Sequence, residues 1–134
     1  MAAHTFPEQV DALEALDVTA EMQPEDIERR ARALLERVRT PDALILTDVF
    51  GATPCNVAQR LASGAEGGQV KVLAGVNVPM LWRTLGHLDE SLDLLVARAV
   101  AGATQGVIQV AVSRPQNQAF KAAFDDQDHA RHQQ

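Results

Sequence analysis

The chain alternates between stretches whose apolar pattern is typical of strands and stretches whose pattern is typical of helices. Apolar and acidic residues alternate over most of Val10–Val18, as they do in a half-exposed strand. Apolar residues then recur at helical spacing over Pro24–Arg39, and Glu25 and Asp26 favour the positive end of that helix. Ala43–Thr47 is a short, nearly all-apolar run, which favours a strand buried on both faces of a parallel sheet.

The alternation continues beyond this strand. It predicts a helix over Pro54–Ser63, a strand over Val70–Gly75, a helix over Pro79–Leu88, a helix from about Glu90 to Thr104 and a last strand over Val107–Val112. Strands that alternate with helices favour an open α/β sheet, mainly parallel, with helices on both faces and right-handed crossovers.

Length, charge and cysteine content limit the domain organisation and the classes of partner. The 134 residues suffice for one domain, which we expect over residues 1–112, followed by a polar tail over residues 113–134. The net charge of −6 argues against a nucleic-acid or anionic membrane surface as the partner, and no apolar run approaches the ~20 residues of a membrane span. The N-terminus does not resemble a signal peptide and the single cysteine fits a reducing compartment, so we expect a cytoplasmic protein.

The turn after Ala43–Thr47 carries the candidate chemistry, because ligands of open α/β sheets bind beyond the carboxyl ends of strands. Asp48 directly follows the strand, Gly51 permits a tight turn, and Thr53 fits a helix N-cap with Pro54 at the first helical position. A helix start of this kind offers free backbone N–H groups and a partial positive charge, which suit a phosphoryl group.

Two interpretations of this turn stay open on the residues alone. In the first, Asp48 and Thr53 only satisfy the turn backbone and cap the helix. In the second, the turn is an anion site, and the carboxylate fixes one ring nitrogen of a histidine whose other nitrogen takes the phosphoryl group. No Cys/His spacing indicates zinc, and no P-loop glycine pattern indicates direct nucleotide binding.

Two blocks of the sequence resemble one known family. Leu44–Asn56 (LILTDVFGATPCN) is similar to the L-x-D-x-x-G-G-[ST]-P-x-N signature of enzyme IIA of the mannose-type (mannose/fructose/sorbose) sugar phosphotransferase system. Leu73–Leu81 (LAGVNVPML) resembles the family's A-G-V-N-[LV]-P-M-L loop, in the same order and spacing, and the resemblance covers about Phe6–Val110. Ala52 replaces the family's second glycine, and Cys55 stands where a bulkier or polar residue is common, but neither departure threatens the site.

The resemblance implies a phosphocarrier that works by in-line transfer without a metal or cofactor. In the family, HPr donates a phosphoryl group to a histidine on enzyme IIA, which passes it to enzyme IIB. Asp48 would orient that histidine, and Thr53 would hold the phosphoryl oxygens together with backbone N–H groups of Gly51, Ala52 and Thr53. The residues expected at or near the partner surface are Val49, Phe50, Asn77 and Pro79.

The resemblance also implies a sheet of about four strands plus an edge strand, and commonly a homodimer. We expect Val107–Val112 to be the strand that pairs between chains. The family's acceptor histidine follows a first, central strand, and this chain lacks that strand and most of the first helix. A start codon read too far downstream would explain the loss, and so would a degenerate, inactive relative; we favour the former because the residues around the expected histidine persist.

None of the four histidines is a convincing acceptor. His4 is expected at an exposed helix end and His87 near the end of a helix, while His129 and His132 fall in the polar tail. The chain as written is therefore expected to be inactive. Since the missing strand leaves a gap in the sheet, we expect a shifted strand, a segment exchanged between chains, or disorder of Met1–Val18.

Two other functions and several residues stay open. The chain is alternatively a non-catalytic regulatory interaction module, or a phosphocarrier for dihydroxyacetone phosphorylation, although the loop of that relative lacks the form seen at Gly51–Pro54. Cys55 is expected to be a small, partly buried filler. Met80 and Trp82 belong either to an exposed contact patch or to the core, and Arg83 is expected to be solvated.

Overall fold

The structure is a computed structural model, and it describes residues 2–38 and 40–112. Its elements in chain order are α1 (Ala2–Thr5), a 3₁₀ helix (Val10–Ala12), α2 (Pro24–Arg37), β1 (Ala43–Thr47), α3 (Thr53–Ser63), β2 (Val70–Ala74), α4 (Val78–Leu85) and α5 (Leu92–Gln105). No helix in this part of the chain is long and apolar enough to cross a membrane.

The sheet in the described residues consists of β1 and β2, which lie side by side and parallel. The Cα partners run from Ala43 opposite Val70 to Thr47 opposite Ala74. Because α3 connects the two strands, it crosses the sheet and brings the chain back to the end where β1 began. This parallel pair with its helical connection confirms the predicted α/β class and the parallel, open sheet.

Helices cover both faces of the sheet, as predicted. Side chains of successive residues in a strand point to opposite faces. Val72 and Ala74 line a groove together with residues of α3. Lys71, one position away, instead forms an ion pair with Asp93 of α5. α3 and α5 therefore lie on opposite faces.

One apolar cluster joins β1, α2 and α3. Ile27 of α2 and Val57 and Leu61 of α3 are each 6% exposed or less. The partly buried residues that pack against this cluster are Leu16, Val18, Met22, Ala31, Leu35 and Ile45. Ile45 brings β1 into the cluster, so α3 packs on the face of β1 to which Ile45 points.

α4 and α5 pack closely at two glycines, Gly102 within α5 and Gly106 at its C-cap. A Cβ atom added at Gly106 would lie 2.2 Å from the Cβ of Pro79, and one added at Gly102 would lie 2.6 Å from the Cβ of Arg83. Any larger residue at either position would push the two helices apart, because interiors are already close-packed.

The prediction of a strand over Val10–Val18 is wrong. The structure has a 3₁₀ helix at Val10–Ala12 and no strand between Leu13 and Thr19. The apolar positions of the pattern are nevertheless used, because Leu16 and Val18 pack on the core cluster. A strand also needs a hydrogen-bonded neighbour, and the described residues offer none beside this segment.

The strand predicted over Val107–Val112 does not form in the described chain either. Val107, Ile108 and Val110 are 75%, 78% and 80% exposed, and no strand pairs with the segment in the part of the chain that the structure describes. The described sheet therefore accounts for two of the predicted strands. The predicted tail, residues 113–134, lies outside the described residues.

Several element ends differ from the predicted ones. α2 ends at Arg37 rather than Arg39, and α4 covers Val78–Leu85 rather than Pro79–Leu88. α5 begins at Leu92 rather than Glu90, because the Ser91 side chain caps it. β2 ends before Gly75, whose φ of +93° breaks the extended backbone.

Candidate functional site

The carboxyl ends of β1 and β2 meet at one edge of the sheet, and hydrogen bonds join the loops that follow them. The Gly75 N–H donates to the Asp48 carbonyl at 2.8 Å, and the Val76 N–H donates to the Thr47 carbonyl at 2.9 Å. The β1–α3 loop is therefore fixed against the β2–α4 loop. This is the edge at which open α/β sheets bind ligands.

The β1–α3 loop is closed by its own hydrogen bonds. The Val49 N–H donates to Asp48 Oδ1 at 2.8 Å, and Asn56 Nδ2 donates to the Gly51 carbonyl at 3.3 Å. The Ala52 N–H makes a longer turn bond to the Val49 carbonyl at 3.4 Å. Together these bonds hold the loop against the first turn of α3.

Gly51 is required for its backbone conformation. Its φ is +84°, which residues with a Cβ rarely adopt. A Cβ added there would meet no atom within 4 Å, so space is not the constraint. The expectation that Gly51 permits a tight turn is confirmed.

The predicted N-cap, Thr53, is wrong by one residue. Ala52 has the extended backbone of an N-cap, with φ −76° and ψ 162°, and its carbonyl accepts the first helical hydrogen bond from the Asn56 N–H. Thr53 is the first residue of α3, and Pro54 follows it. Since Ala52 has no polar side chain, no side chain caps α3.

The start of α3 therefore carries free hydrogen-bond donors. Within the residues that the structure describes, the backbone N–H groups of Gly51, Thr53 and Cys55 have no acceptor. The Thr53 side chain is exposed and its hydroxyl is likewise free in the described structure. These groups lie at the positive end of a helix of 11 residues, which favours an anion.

Asp48 lies at the start of the same β1–α3 loop and is exposed. One carboxylate oxygen, Oδ1, accepts the Val49 N–H, as the structural interpretation of this residue expects. The other oxygen, Oδ2, has no partner among the described residues, so it remains able to accept a hydrogen bond from an incoming imidazole N–H.

The four residues expected at the partner surface fall into two pairs. Val49 and Phe50 are 58% and 77% exposed and rim the loop. Asn77 instead caps α4, accepting the Met80 N–H at 2.9 Å, and donates to the Ala103 carbonyl of α5 at 3.2 Å. Pro79 packs on Gly106. Asn77 and Pro79 thus have internal contacts, and a role for them in partner binding stays a prediction.

Neither described histidine lies at this edge. His4 is exposed in α1, as expected. Phe6, two positions later, lies close to Gly86 at the end of α4. His87 follows Gly86, and its Nδ1 is hydrogen-bonded to the Arg83 carbonyl at 2.8 Å. Because α4 leads away from the site for about 12 Å, both histidines belong to the far end of the fold.

The remaining side chains take mostly structural positions. Cys55 and Met80 are 2% and 3% exposed, whereas Trp82 is 37% exposed, so the core interpretation holds for Met80 only. Arg83 donates to Gln105 Oε1 at 3.1 Å. Among the described residues, no group of three His, Cys, Asp or Glu residues could hold a metal ion.

Two residues of the site were missed from the sequence. Asn56 stabilises the loop through the Gly51 carbonyl. Thr47 is 7% exposed, and its Oγ1 has no hydrogen-bond partner. A polar residue at the last position of a buried strand was the available signal for Thr47, whereas Asn56 gave none beyond its place in the signature.

Sequence comparison adds to this geometry. The sequence model of the family described as "PTS system fructose IIA component" matches residues 1–100. The chain is 40% identical over 83 residues to the "PTS system mannose-specific EIIAB component" of Escherichia coli K12, and equally to that of Shigella flexneri. Each match covers 60% of this chain and 25% of the relative, so the chain spans about a quarter of the length of the curated relatives it matches.

Two solved structures have a similar fold. The mannose/sorbose specific IIA subunit of the phosphotransferase system from Enterococcus faecalis has a TM-score of 0.66 and 27% sequence identity, and the alignment covers 85% of this chain and 89% of that one. The phosphotransferase system component EIIA from Streptococcus agalactiae has a TM-score of 0.59 and 30% identity, with coverage of 67% and 69%.

Proposed function

The chain belongs to the family of PTS system fructose IIA components, and from this premise we propose that it is the phosphocarrier domain that relays a phosphoryl group from HPr to enzyme IIB. The resemblance to mannose-type enzyme IIA, noted from two sequence blocks, is thereby confirmed. The whole-protein activity, the donor and the acceptor are inferred, because the chain matches only part of its curated relatives.

One observation carries the proposal: the exposed Asp48 lies at the start of the loop that leads into the uncapped start of α3. The free N–H groups of Gly51, Thr53 and Cys55 suit the oxygens of a phosphoryl group. Asp48 Oδ2 suits the N–H of a neutral imidazole, which fixes the tautomer of the ring. The N–H donors for the phosphoryl oxygens and the carboxylate that accepts the imidazole N–H need to lie on either side of a histidine. This loop supplies the donors and the carboxylate within one turn.

The reaction proceeds as an in-line exchange at phosphorus. The bond between phosphorus and the donor protein breaks as a bond forms between phosphorus and the unprotonated ring nitrogen of the histidine. Hydrogen bonds from the α3 N-terminus stabilise the phosphoryl oxygens, and Asp48 balances the positive charge that develops on the ring. The exposed Val49 and Phe50 give partner proteins an apolar rim at the site.

We further propose that none of this chain's four histidines is the acceptor. His4 and His87 lie at the far end of the fold from Asp48. His129 and His132 fall in the segment that the sequence predicts to be a polar tail. The acceptor would then come from a strand placed along the edge of β1 that β2 leaves open. A histidine at the carboxyl end of such a strand would face Asp48.

Phosphoryl transfer from phosphoenolpyruvate tests the proposal. The chain is incubated with enzyme I and HPr, alone and with an N-terminal extension taken from the Escherichia coli relative, and phosphohistidine is measured by intact mass. We expect phosphorylation of the extended chain only, with strong loss in its Asp48→Asn variant and little change in its Asp89→Asn variant.

The alternatives make different predictions for the same assay. Phosphorylation of the chain alone at any of its four histidines would contradict the assignment of the acceptor. No phosphorylation of either form would contradict the phosphocarrier function and favour the regulatory interaction module. Transfer to a dihydroxyacetone kinase rather than to enzyme IIB would favour the third function.

We also propose a homodimer in which Val107–Val112 of one copy pairs with β2 of the other. The Ala43 N–H donates to the Gln69 carbonyl, so the backbone groups of Val70, Val72 and Ala74 point away from β1 and toward an open edge. A groove of ≈ 560 Å³ between α3 and β2 lies there. The segment is apolar and exposed, which makes it a suitable added strand.

Light scattering of the purified full chain tests the dimer. We expect a dimer for the wild type and a monomer for Ile108→Lys, because a charge in the added strand opposes burial. Leu94 is 53% exposed on α5 and serves as the matched control. A monomeric wild type, or a dimer equally lost in Leu94→Lys, would contradict this interface.

A further inference from the structure

The ladder between β1 and β2 changes its hydrogen-bond pattern at the end that leads to Asp48. In a regular parallel ladder with Thr47 opposite Ala74, the Gly75 N–H donates to the Thr47 carbonyl. In the structure it donates instead to the Asp48 carbonyl at 2.8 Å, and the Val76 N–H donates to the Thr47 carbonyl at 2.9 Å. These two bonds extend the contact one residue beyond β1, and that residue is Asp48.

Gly75 permits this change of pattern through its backbone conformation. It directly follows β2, and its φ is +93°, which residues with a Cβ rarely adopt. A Cβ added there would meet no atom within 4 Å, so the conformation and not the space requires glycine. A residue with a Cβ favours negative φ, which would turn the chain after β2 away from Asp48.

Asp48 is held at two of its three oxygen atoms. Its main-chain carbonyl accepts the Gly75 N–H, and its Oδ1 accepts the Val49 N–H at 2.8 Å. The remaining oxygen, Oδ2, is the one that the proposed function assigns to the imidazole. Because the main chain and one carboxylate oxygen are fixed, the position of Oδ2 depends on the bond from Gly75.

We propose that Gly75 is a positioning residue for Asp48. Its N–H holds the Asp48 main chain, and through it the carboxylate, in the place where Oδ2 accepts the imidazole N–H. This inference rests on the proposed function, in which Asp48 orients the acceptor histidine, and it adds a residue from the second loop at this edge. Placement matters because a displacement of about 1 Å can lower a reaction rate about a hundredfold.

Gly67 provides a matched control, because it has a similar backbone conformation at the other end of β2. Its φ is +77°, and a Cβ added there would also meet no atom within 4 Å. Gly67→Ala therefore reproduces the backbone cost of Gly75→Ala without a bond to Asp48. Gly75→Asn is the conservative variant, because asparagine tolerates positive φ better than alanine does.

The first measurement follows the Asp48 main chain by NMR in the full chain, without any partner protein. We expect a through-hydrogen-bond coupling between the Gly75 nitrogen and the Asp48 carbonyl carbon in the wild type. The Asp48 carbonyl carbon resonance should shift in Gly75→Ala, as the bond is lost, and stay near its wild-type value in Gly67→Ala and Gly75→Asn. Absence of the coupling in the wild type would overturn the assignment even if Gly75→Ala does not fold.

The second measurement is phosphoryl transfer from phosphorylated HPr to the extended chain that tests the proposed function. We expect Gly75→Ala to lower the rate constant at saturating donor about ten- to hundredfold. The donor concentration at half-saturation should stay the same, because the exposed Val49 and Phe50 remain available to the partner. Gly67→Ala should transfer at the wild-type rate, and Gly75→Asn should recover most of the loss.

Each outcome decides for or against Gly75. An unshifted Asp48 carbonyl resonance or an unchanged transfer rate in folded Gly75→Ala would overturn the assignment. Equal losses in Gly67→Ala and Gly75→Ala would overturn it too, since a general backbone effect would then explain both. No transfer by the extended chain with Gly75 intact would contradict the phosphocarrier function, and the coupling and the Asp48 resonance would then decide whether Gly75 holds Asp48.

Discussion

α3 and α4 begin at the same edge of the sheet, each after a parallel strand, yet their N-termini are built differently. Asn77 caps α4 with its side chain and ties it to α5 through the Ala103 carbonyl. Ala52 stands in the same position at α3 and caps nothing. The α4 start is satisfied by the chain itself, whereas the α3 start keeps free N–H donors, which the proposed anion site uses.

In the proposed function, this difference separates a structural terminus from a binding one, although α2 also starts without a side-chain cap. Side-chain caps stabilise a helix start, so an uncapped start forgoes that stability. At α3 the loss coincides with an exposed carboxylate and a positive-φ glycine. Native proteins tend to break local rules at functional sites, and the α3 start breaks several within a few residues.

Substitution at Gly106 should give the largest change, because it disrupts the packing of the capped terminus. A Cβ at this position would lie 2.2 Å from the Pro79 Cβ. We expect Gly106→Ala to lower the free energy of unfolding by about 3 kcal/mol. Gly64→Ala is the matched control, since its Cβ would meet only the Arg60 carbonyl at 3.6 Å. Equal urea midpoints for the two variants would contradict the tight α4–α5 contact.

Removal of the α4 cap should have the next largest effect. Asn77→Ala loses the bond to the Met80 N–H and the bond to the Ala103 carbonyl. We expect the free energy of unfolding to fall by about 2 kcal/mol, measured by urea denaturation. Phosphate binding at α3 should stay within twofold of the wild type. Lost phosphate binding in a folded Asn77→Ala would show that the two termini are not separate in function.

In the β1–α3 loop, Gly51→Ala should lower the free energy of unfolding less than Asn77→Ala does. It should, however, weaken phosphate binding more. The positive φ of +84° opposes a Cβ, although the space is open. We expect a loss of about 1 kcal/mol in urea denaturation, together with a clear loss of phosphate affinity as the N–H groups turn away. Gly51→Asn is the control, because asparagine tolerates positive φ better. Unchanged phosphate affinity in Gly51→Ala would show that the loop backbone does not bind phosphate.

The smallest expected effect on stability comes from adding the missing cap. Ala52→Asp and Ala52→Asn should each raise the free energy of unfolding by about 0.5–1 kcal/mol, because the new side chain accepts a free N–H of α3. Both should weaken phosphate binding, and Ala52→Asp more so because of its charge. Tighter binding in either variant would mean that the donors at α3 are not the ones that contact phosphate.

The sequence predicted β1 with both of its ends and placed the site at the loop that follows it. The apolar run ALILT and the turn residues behind it are local signals, so they need no knowledge of the rest of the fold. The predicted N-cap was wrong because Thr53 has the better capping side chain, whereas the backbone of Ala52 takes the extended conformation. Side-chain preference favours Thr53 as the N-cap, but the backbone conformation makes Ala52 the N-cap.

Two segments predicted as strands, Val10–Val18 and Val107–Val112, form no strand within the described chain, and the reason is a different one. Alternating or β-branched residues show that a segment can pair, but pairing depends on a neighbour that the segment itself does not encode. Leu16 and Val18 use their apolar side chains in the core without a strand. Thr47 was missed because burial without a partner is a property of the packed structure.

The most direct test of the account is an amide chemical-shift titration of the full-length chain with inorganic phosphate, comparing the two helix starts in one experiment. We expect saturable shifts at Gly51, Thr53 and Cys55 of the α3 start and none at Met80 and Leu81 of the capped α4 start. Shifts of equal size at both helix starts, or none at α3, would contradict the claim that the uncapped α3 start is the phosphate site.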